Sequence, residues 1–323
     1  MTQSTTGGTS MNQQGLVYQG EDTARRRRER GGEKRHTGAE SSTKAVGDKD
    51  GGVKKTVVYG LLILFAIIYI FPFILQLVTA FKTNPDAVNN PLSLIPDPFT
   101  TAAWERLLQT RFPLWFTNSV IVTLFVTVCR VLFCSMAGYA LARLKFFGRD
   151  TVFTLLLAIM AVPGIVLLIP KFLVINYLGI YNSYPALIVP LVVDAAGVFI
   201  MKQFFEQIPP SIEEAARIDG AGPFRTFWSV VLPMAKPALI TITILSFQGS
   251  WNELGHFIIA TNDSSLYTLT RGLASLTSGG LGAGSQFPIT MMAGLLMTIP
   301  TALVFIVFQR YFTQGANVGA EKG

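Results

Sequence analysis

Residues 206–233 read EQIPPSIEEAARIDGAGPFRTFWSVVLP, a polar island between two apolar stretches. The reading of this segment decides how the chain is organised. Its first half has the makings of a short helix. Ser211 is placed as an N-cap, Glu214 follows three residues later as in a capping box, and Pro209 and Pro210 block extension backwards. Gly220 and Gly222 stop that helix and permit a left-handed turn. Pro223 then suits the start of a second helix, Phe224–Val231, with Phe224, Phe227, Trp228 and Val231 on one face and with Pro233 and Pro237 closing it. Two uses fit such a helix–turn–helix: an amphipathic pair resting on lipid, or a docking element for another protein.

Outward from the island the chain is apolar. Half of its 323 residues are hydrophobic and only 14% are charged, against about a quarter in soluble domains. Six segments, Val57–Ala80, Phe116–Leu141, Thr151–Ile169, Pro185–Met201, Ala238–Ala260 and Phe287–Gln309, carry the apolar residues. Most reach the roughly 20 residues that cross a ~30 Å hydrocarbon core, the fourth being the shortest. Inside lipid every backbone group must bond internally, so the segments are expected to be helices. Pro72, Pro163, Pro170, Pro190 and Pro300 interrupt or bound several of them, which favours a bundle whose neighbours cover the freed carbonyls. The expected fold is an all-α membrane protein with six transmembrane helices, and the helix pair lies between the fourth and fifth.

The basic residues set the orientation. With the N-terminus in the cytoplasm, 20 Lys/Arg fall on that side against five outside: Lys82, Arg106, Arg111, Lys171 and Arg271. Both termini and the 206–236 loop are then cytoplasmic. The proline-rich stretch Lys82–Trp115 is expected to be an ordered external cap, and Thr261–Gln286 is an external Gly/Ser/Thr-rich connection. Residues 1–55 hold eleven Lys/Arg against seven Asp/Glu, with a run at Arg25, Arg26, Arg27, Arg28 and Arg30. Poor in large apolar residues, this tail is expected to be disordered, a topology determinant near anionic lipid rather than a nucleic-acid reader. About twenty apolar residues follow it, where a cleaved signal peptide has 7–15. The domain reading is therefore a tail over 1–55 and a transmembrane domain over 56–323.

Catalytic and metal signals are sparse. There is no Gly-x-x-x-x-Gly-Lys-Ser/Thr phosphate cradle, no Gly-x-Ser-x-Gly elbow and no His-Glu-x-x-His pair. His36 and His256 are the only histidines. Cys129 and Cys134 stand five residues apart on different faces of one helix, as two small buried side chains would. Arg130 and Asp194 lie inside the second and fourth segments, where each costs at least ~2.5 kcal/mol unless it faces a partner or water. They can pair with each other, contact another subunit, or contact a polar solute. Asn252 and Glu253 lack a convergent base or metal, and fit helix packing or a pathway lining. Intramembrane charge also leaves open an ion-coupled carrier or channel.

The run Glu214-Ala215-Ala216, then Gly220, then Leu232-Pro233 resembles the EAA loop of permeases in bacterial ATP-binding-cassette importers. The family spacing is Glu-Ala-Ala, three residues, Gly, nine residues, Ile, one residue, Leu-Pro. The one departure here is Val230 in place of Ile. Four further stretches, Phe81–Asp86, Ala140–Lys145, Trp251-Asn252-Glu253 and Gln309–Gly315, resemble the carbohydrate-uptake branch, in particular the smaller permease of maltose-type importers. The resemblance runs over residues 57–323 and implies a MetI-like fold. It also implies a second permease, two ATPase subunits and an external solute-binding protein, in the bacterial plasma membrane. Glu213, Glu214, Ala215, Ala216, Asp219, Gly220, Leu232 and Pro233 would form the contact to the ATPase, with Glu214 facing a basic residue and Gly220 setting the bend. No cofactor is expected in this chain, ATP and Mg being held by the ATPase.

Overall fold

A computed structural model describes residues 49–277 and 286–320, with side chains over 55–277 and 286–309. The expected basic tail lies outside the described residues as far as 48. Helix α1, Lys49–Thr79, includes the last residues of the 1–55 stretch. The chain divides into two units, 1–65 and 66–323. In the first, the described residues are the opening turns of α1, exposed from Lys55 onward.

The second unit completes α1, with Pro72 inside it, and continues with two short helices, α2 (Asn84–Asn89) and α3 (Ala102–Gln109). These form an ordered cap. Thr83 accepts the Asp86 N–H, the buried Lys82 reaches the Asn90 carbonyl at 2.6 Å, and Phe81 stacks on Phe99 with centroids 5.2 Å apart. The Asn90 amide and the Asp97 N–H hold the Asp86 carboxyl below its usual range, with burial opposing and Lys82 assisting.

Helix α4, Phe112–Arg143, is the axis of this unit. At one end Trp115 packs with Leu107, Trp251 and Ile289; midway Val122 and Val126 meet Leu187 and Phe257; at the other end Tyr139 meets Phe205, Phe227 and Val231. The remaining elements are α5 (Arg149–Met160), α6 (Leu168–Tyr177), α7 (Tyr184–Ile188), α8 (Ala195–Gln207), α9 (Pro210–Ile218), α10 (Pro223–Met234), α11 (Lys236–Trp251), α12 (Gly255–Ala260), α13 (Leu269–Ser275) and α14 (Phe287–Ala320). No strand occurs among the described residues.

Four stretches are long and apolar enough to cross a membrane: Lys55–Thr79, Phe112–Arg143, Tyr184–Gln207 and Phe287–Gln309. Two helix pairs pass the same test only as bent pairs, so the number of spans is four to six. The third segment is not one straight helix. It breaks before Pro163, which has no N–H to continue the ladder, and the flanking helices are bent by 104°. The fifth also departs from expectation: α11 ends at Trp251 and α12 begins at Gly255, while α10 and α11 meet at a bend of 82°.

Helices α4 and α8 pack on each other more extensively than any other pair among the described residues. Small residues permit the approach. A Cβ on Gly138 would lie 2.7 Å from Met201 Cβ and 2.9 Å from the Lys202 nitrogen, and one on Gly197 would lie 2.9 Å from Cys134 Sγ. Both cysteines are free, and Cys134 is buried at this contact. Gly138→Ala is therefore expected to destabilise the detergent-solubilised protein by about 1–3 kcal/mol through overpacking. Gly60→Ala, whose new methyl meets nothing within 4 Å, serves as the control. Equal melting temperatures for the two variants would contradict this packing.

Candidate functional site

The intramembrane charges are engaged with helix ends. The Tyr184–Gln207 stretch is discontinuous: α7 passes into a 3-10 turn, Val189–Leu191, and α8 starts only at Ala195. Such a break frees carbonyls at the end of the first half and N–H groups at the start of the second. Arg130 Nε donates to the Leu191 carbonyl at 2.9 Å, a cation at a helix C-terminus. Asp194 is the N-cap of α8, its Oδ2 accepting the Gly197 N–H at 2.9 Å. Cys134 Sγ adds a contact to the Asp194 carbonyl at 3.4 Å. The two charges form no ion pair with each other, so of the options open at the sequence level direct pairing falls away.

Asn252 and Glu253 sit at a second break, between α11 and α12. Asn252 Nδ2 returns to the Gln248 carbonyl at 3.0 Å. Glu253 Oε1 accepts the His256 N–H at 2.9 Å, and its carbonyl accepts the Thr270 hydroxyl at 2.6 Å. His256 is buried with Nε2 2.9 Å from the Ala186 carbonyl. Among the described residues no three His, Cys, Asp or Glu side chains gather as a metal site.

The 206–236 hairpin is the most elaborated local structure. Helix α9 begins at Pro210 with Pro209 in the N-cap position and no side chain capping it. The expected N-cap at Ser211 is thus corrected: proline at the first helical position supplies the fixed φ and needs no N–H partner. The end of α9 is as the glycine implied. Gly220 has φ +79°, its N–H bonds the Arg217 carbonyl at 3.0 Å, and the Ala221 N–H bonds the Ala216 carbonyl at 2.9 Å. This is a Schellman closure. The second helix runs past its expected end at Val231. Residues Phe227–Val231 form a π turn in which the Leu232 N–H reaches back to the Phe227 carbonyl, and the widened turn accommodates Pro233 inside α10. The chain turns instead at Ala235. Of the expected aromatic face, Phe227 and Val231 are buried, whereas Phe224 and Trp228 are exposed.

Of the two neighbouring carboxylates of α9, one faces outward and the other inward. Glu214 is exposed, as are Ala215, Ile218 and Asp219. Glu213 is 3% exposed and turned inward, so among the residues expected at a partner contact it belongs to the interior. Its Oε1 pairs with Arg143 Nε at 2.9 Å, its Oε2 accepts the Tyr139 hydroxyl at 3.3 Å, and Arg217 stands 3.9 Å away. Tyr139 is itself wedged between Phe205 and Phe227, with ring centroids 5.8 and 5.0 Å away. Arg143 also donates to the Phe205 carbonyl at 2.6 Å and to the Ile208 carbonyl. Ala216 is buried beneath the same helix, while Leu232 is half-buried and Pro233 exposed. Arg143 and Tyr139 are the site residues that sequence reasoning missed. The available signal was an arginine in the last turn of a span, inside the Ala140–Lys145 stretch.

A family described as binding-protein-dependent transport system inner membrane component matches residues 131–318, more than half of the chain. The chain is 33% identical to the arabinooligosaccharides transport system permease protein AraQ of Halalkalibacterium halodurans over 262 residues, covering 80% of this chain and 93% of that one. It is 34% identical over 283 residues to the polygalacturonan/rhamnogalacturonan transport system permease protein YtcP of Bacillus subtilis, covering 83% and 97%. To the sn-glycerol-3-phosphate transport system permease protein UgpE of Yersinia pestis it is 32% identical over 272 residues, covering 81% and 95%. Among solved structures it is similar to a chain of a bacterial ABC transporter involved in the import of the acidic polysaccharide alginate. There the TM-score is 0.71 at 26% identity, covering 82% of this chain and 98% of that one.

The capping geometry separates two outcomes for Asp194. Asn caps a helix about as well as Asp, so Asp194→Asn is expected to remain near wild-type stability, whereas Asp194→Ala costs about 0.5–2 kcal/mol. Were Asp194 the counter-ion of Arg130, both variants would strand a buried charge and lose about 3–5 kcal/mol. Thermal unfolding in detergent reads the difference.

Proposed function

The chain belongs to the family of binding-protein-dependent transport system inner membrane components, and from that footing we infer that it forms half of the pathway of an ATP-driven importer for a carbohydrate. It is a permease subunit and not itself an enzyme. The solute class is supported by the relatives, whose names specify arabinooligosaccharides and polygalacturonan, and by the structural likeness to an alginate importer. The glycerol-3-phosphate relative extends the chemistry to small polyhydroxylated solutes.

The observation that carries the mechanism is the hairpin. A Schellman-closed helix with an exposed Glu214 and an inward, bonded Glu213 is a firm protrusion with one free face. On the proposed reading the ATPase docks there, Glu214 offering a negative charge and Gly220 fixing the angle between α9 and α10. Closure of two ATPase subunits on ATP and Mg, which they hold, would rock the spans toward the outward-facing state. The broken stretch Arg149–Tyr177 then counts as one span and α11 as another, which gives six. The bias of 20 Lys/Arg against five supports a cytoplasmic hairpin with both termini on the same side. A second permease completes the pathway, and an external binding protein delivers the solute to the face that carries α2 and α3. The ion-coupled carrier is the weaker reading, because the family is that of binding-protein-dependent transport systems and Arg130 and Asp194 each bond a helix end.

Glu214→Lys sets like charge against a basic partner, a mismatch of several kcal/mol. Gly220→Val forces a β-branched residue into a left-handed turn at about 1–2 kcal/mol, although its side chain meets open space. Both variants are expected to insert and fold normally yet to lose ATPase pull-down and solute-stimulated ATP hydrolysis in the reconstituted complex. Wild-type pull-down and hydrolysis in both would show that the hairpin only rests on lipid.

A further inference from the structure

Helix α9 is joined in sequence to α8 and α10, but its buried charge is bonded elsewhere. Glu213 meets the last two turns of α4, at Arg143 and Tyr139, across 70 residues of chain. The same Arg143 guanidinium holds the Phe205 carbonyl in the last turn of α8 and the Ile208 carbonyl in the link to α9. One planar group therefore joins the end of α4, the end of α8 and the inner face of α9. Further along α4, Arg130 grips the Leu191 carbonyl ahead of α8. Helix α4 thus holds the end of each half of the discontinuous Tyr184–Gln207 stretch with a cation.

We propose that Arg143 is the positioning residue through which displacement of α9 enters the bundle, and that α4, with α8 clamped to it, carries the movement. The proposal rests on the reading of α9 as the ATPase-docking helix. A force on the exposed face of α9 reaches Glu213 on its inner face, and there the contact is a buried ion pair: Glu213 Oε1 lies 2.9 Å from Arg143 Nε, with the side chains 4% and 13% exposed. Reach as well as charge makes the joint, since the same side chain also holds two carbonyls. Its Nε stands beside the carboxylate while one terminal nitrogen, Nη2, donates to both carbonyls, a reach that the single nitrogen of a lysine ammonium does not reproduce. Arg217, 66% exposed and 3.9 Å from Glu213, keeps some charge balance but reaches none of the α8 carbonyls.

The test is the complete importer in lipid nanodiscs, with its ATPase and solute-binding protein, carrying Arg143→Lys or Arg143→Ala. Both are expected to retain the ATPase at wild-type stoichiometry while solute stimulation of ATP hydrolysis falls by about 5- to 150-fold, the span of ordinary coupling energies, with lysine the milder. A simple packing role predicts the reverse split, with stoichiometry and melting temperature falling together while stimulation per assembled complex is unchanged. Wild-type stimulation in an assembled Arg143→Ala complex would overturn the proposal. So would an Arg143→Ala complex that sheds the ATPase while Arg143→Lys assembles and couples normally, since Arg143 would then only shape the docking surface. Glu214→Lys, run alongside, isolates the underlying reading: if it keeps both ATPase and stimulation, the docking site itself is misplaced, whatever Arg143 does.

Discussion

The hydrocarbon interior of a bilayer offers no hydrogen-bond partner, so a backbone that leaves its helix there must be closed by the protein itself. Along its apolar segments this chain leaves the helix repeatedly. The third segment breaks before Pro163, the fourth at Val192–Asp194 and the fifth after Trp251. At two of these places polar side chains take over the work of the missing turn: Arg130 and Asp194 close the ends on either side of one break, and Asn252 and Glu253 those of the other. Residues that look functional by their rarity in lipid thus have a first duty to the backbone. Arg143 extends the same logic to the end of α8, where it bonds the Phe205 and Ile208 carbonyls and adds the Glu213 carboxylate.

That addition changes what the hairpin is. An interfacial helix pair held by apolar contacts can slide on its support, since dispersion and area burial have no direction. Here the Glu213–Arg143 ion pair is tied in place by bonds to other groups, from the Tyr139 hydroxyl to the carboxylate and from Arg143 to two carbonyls. The aromatic packing of Tyr139 against Phe205 and Phe227 keeps water from the pair. In this permease the joint fixes the distance and angle between α9 and α4, so that the exposed Glu214 face is presented by the bundle and not by a loop.

Much of this was legible in the sequence, and the failures have specific causes. The long apolar segments identified the lipid-crossing regions, because an uninterrupted apolar run has few other stable fates. Gly220 was readable as a left-handed helix stop, since glycine tolerates that backbone region best. Pattern alone could not reveal that the third and fifth segments bend by 104° and 82° at or beside them, because hydropathy reports composition and not direction. Ser211 misled through the strength of the capping signal, with proline at 210 taking the first helical position. The π turn at Phe227–Val231 absorbed a proline expected to end the helix. Glu213 and Glu214 are adjacent and chemically alike, and only the long-range contact to Arg143 shows which of them faces inward.

The account turns on α9 and α4 moving as one body, and a distance between them tests it directly. Spin labels at Phe147, just beyond α4, and at Ile218 on the outer face of α9 occupy fully and largely exposed positions. They would be placed in a variant lacking Cys129 and Cys134 and incorporated into the assembled importer. Pulsed dipolar spectroscopy then compares the nucleotide-free and ATP-trapped states. The predicted result is one narrow distance distribution, the same in both states, while the distance from Ile218 to a label on the partner permease changes. A Phe147–Ile218 distance that shifts or broadens when ATP is bound would contradict a rigid joint at Glu213 and Arg143.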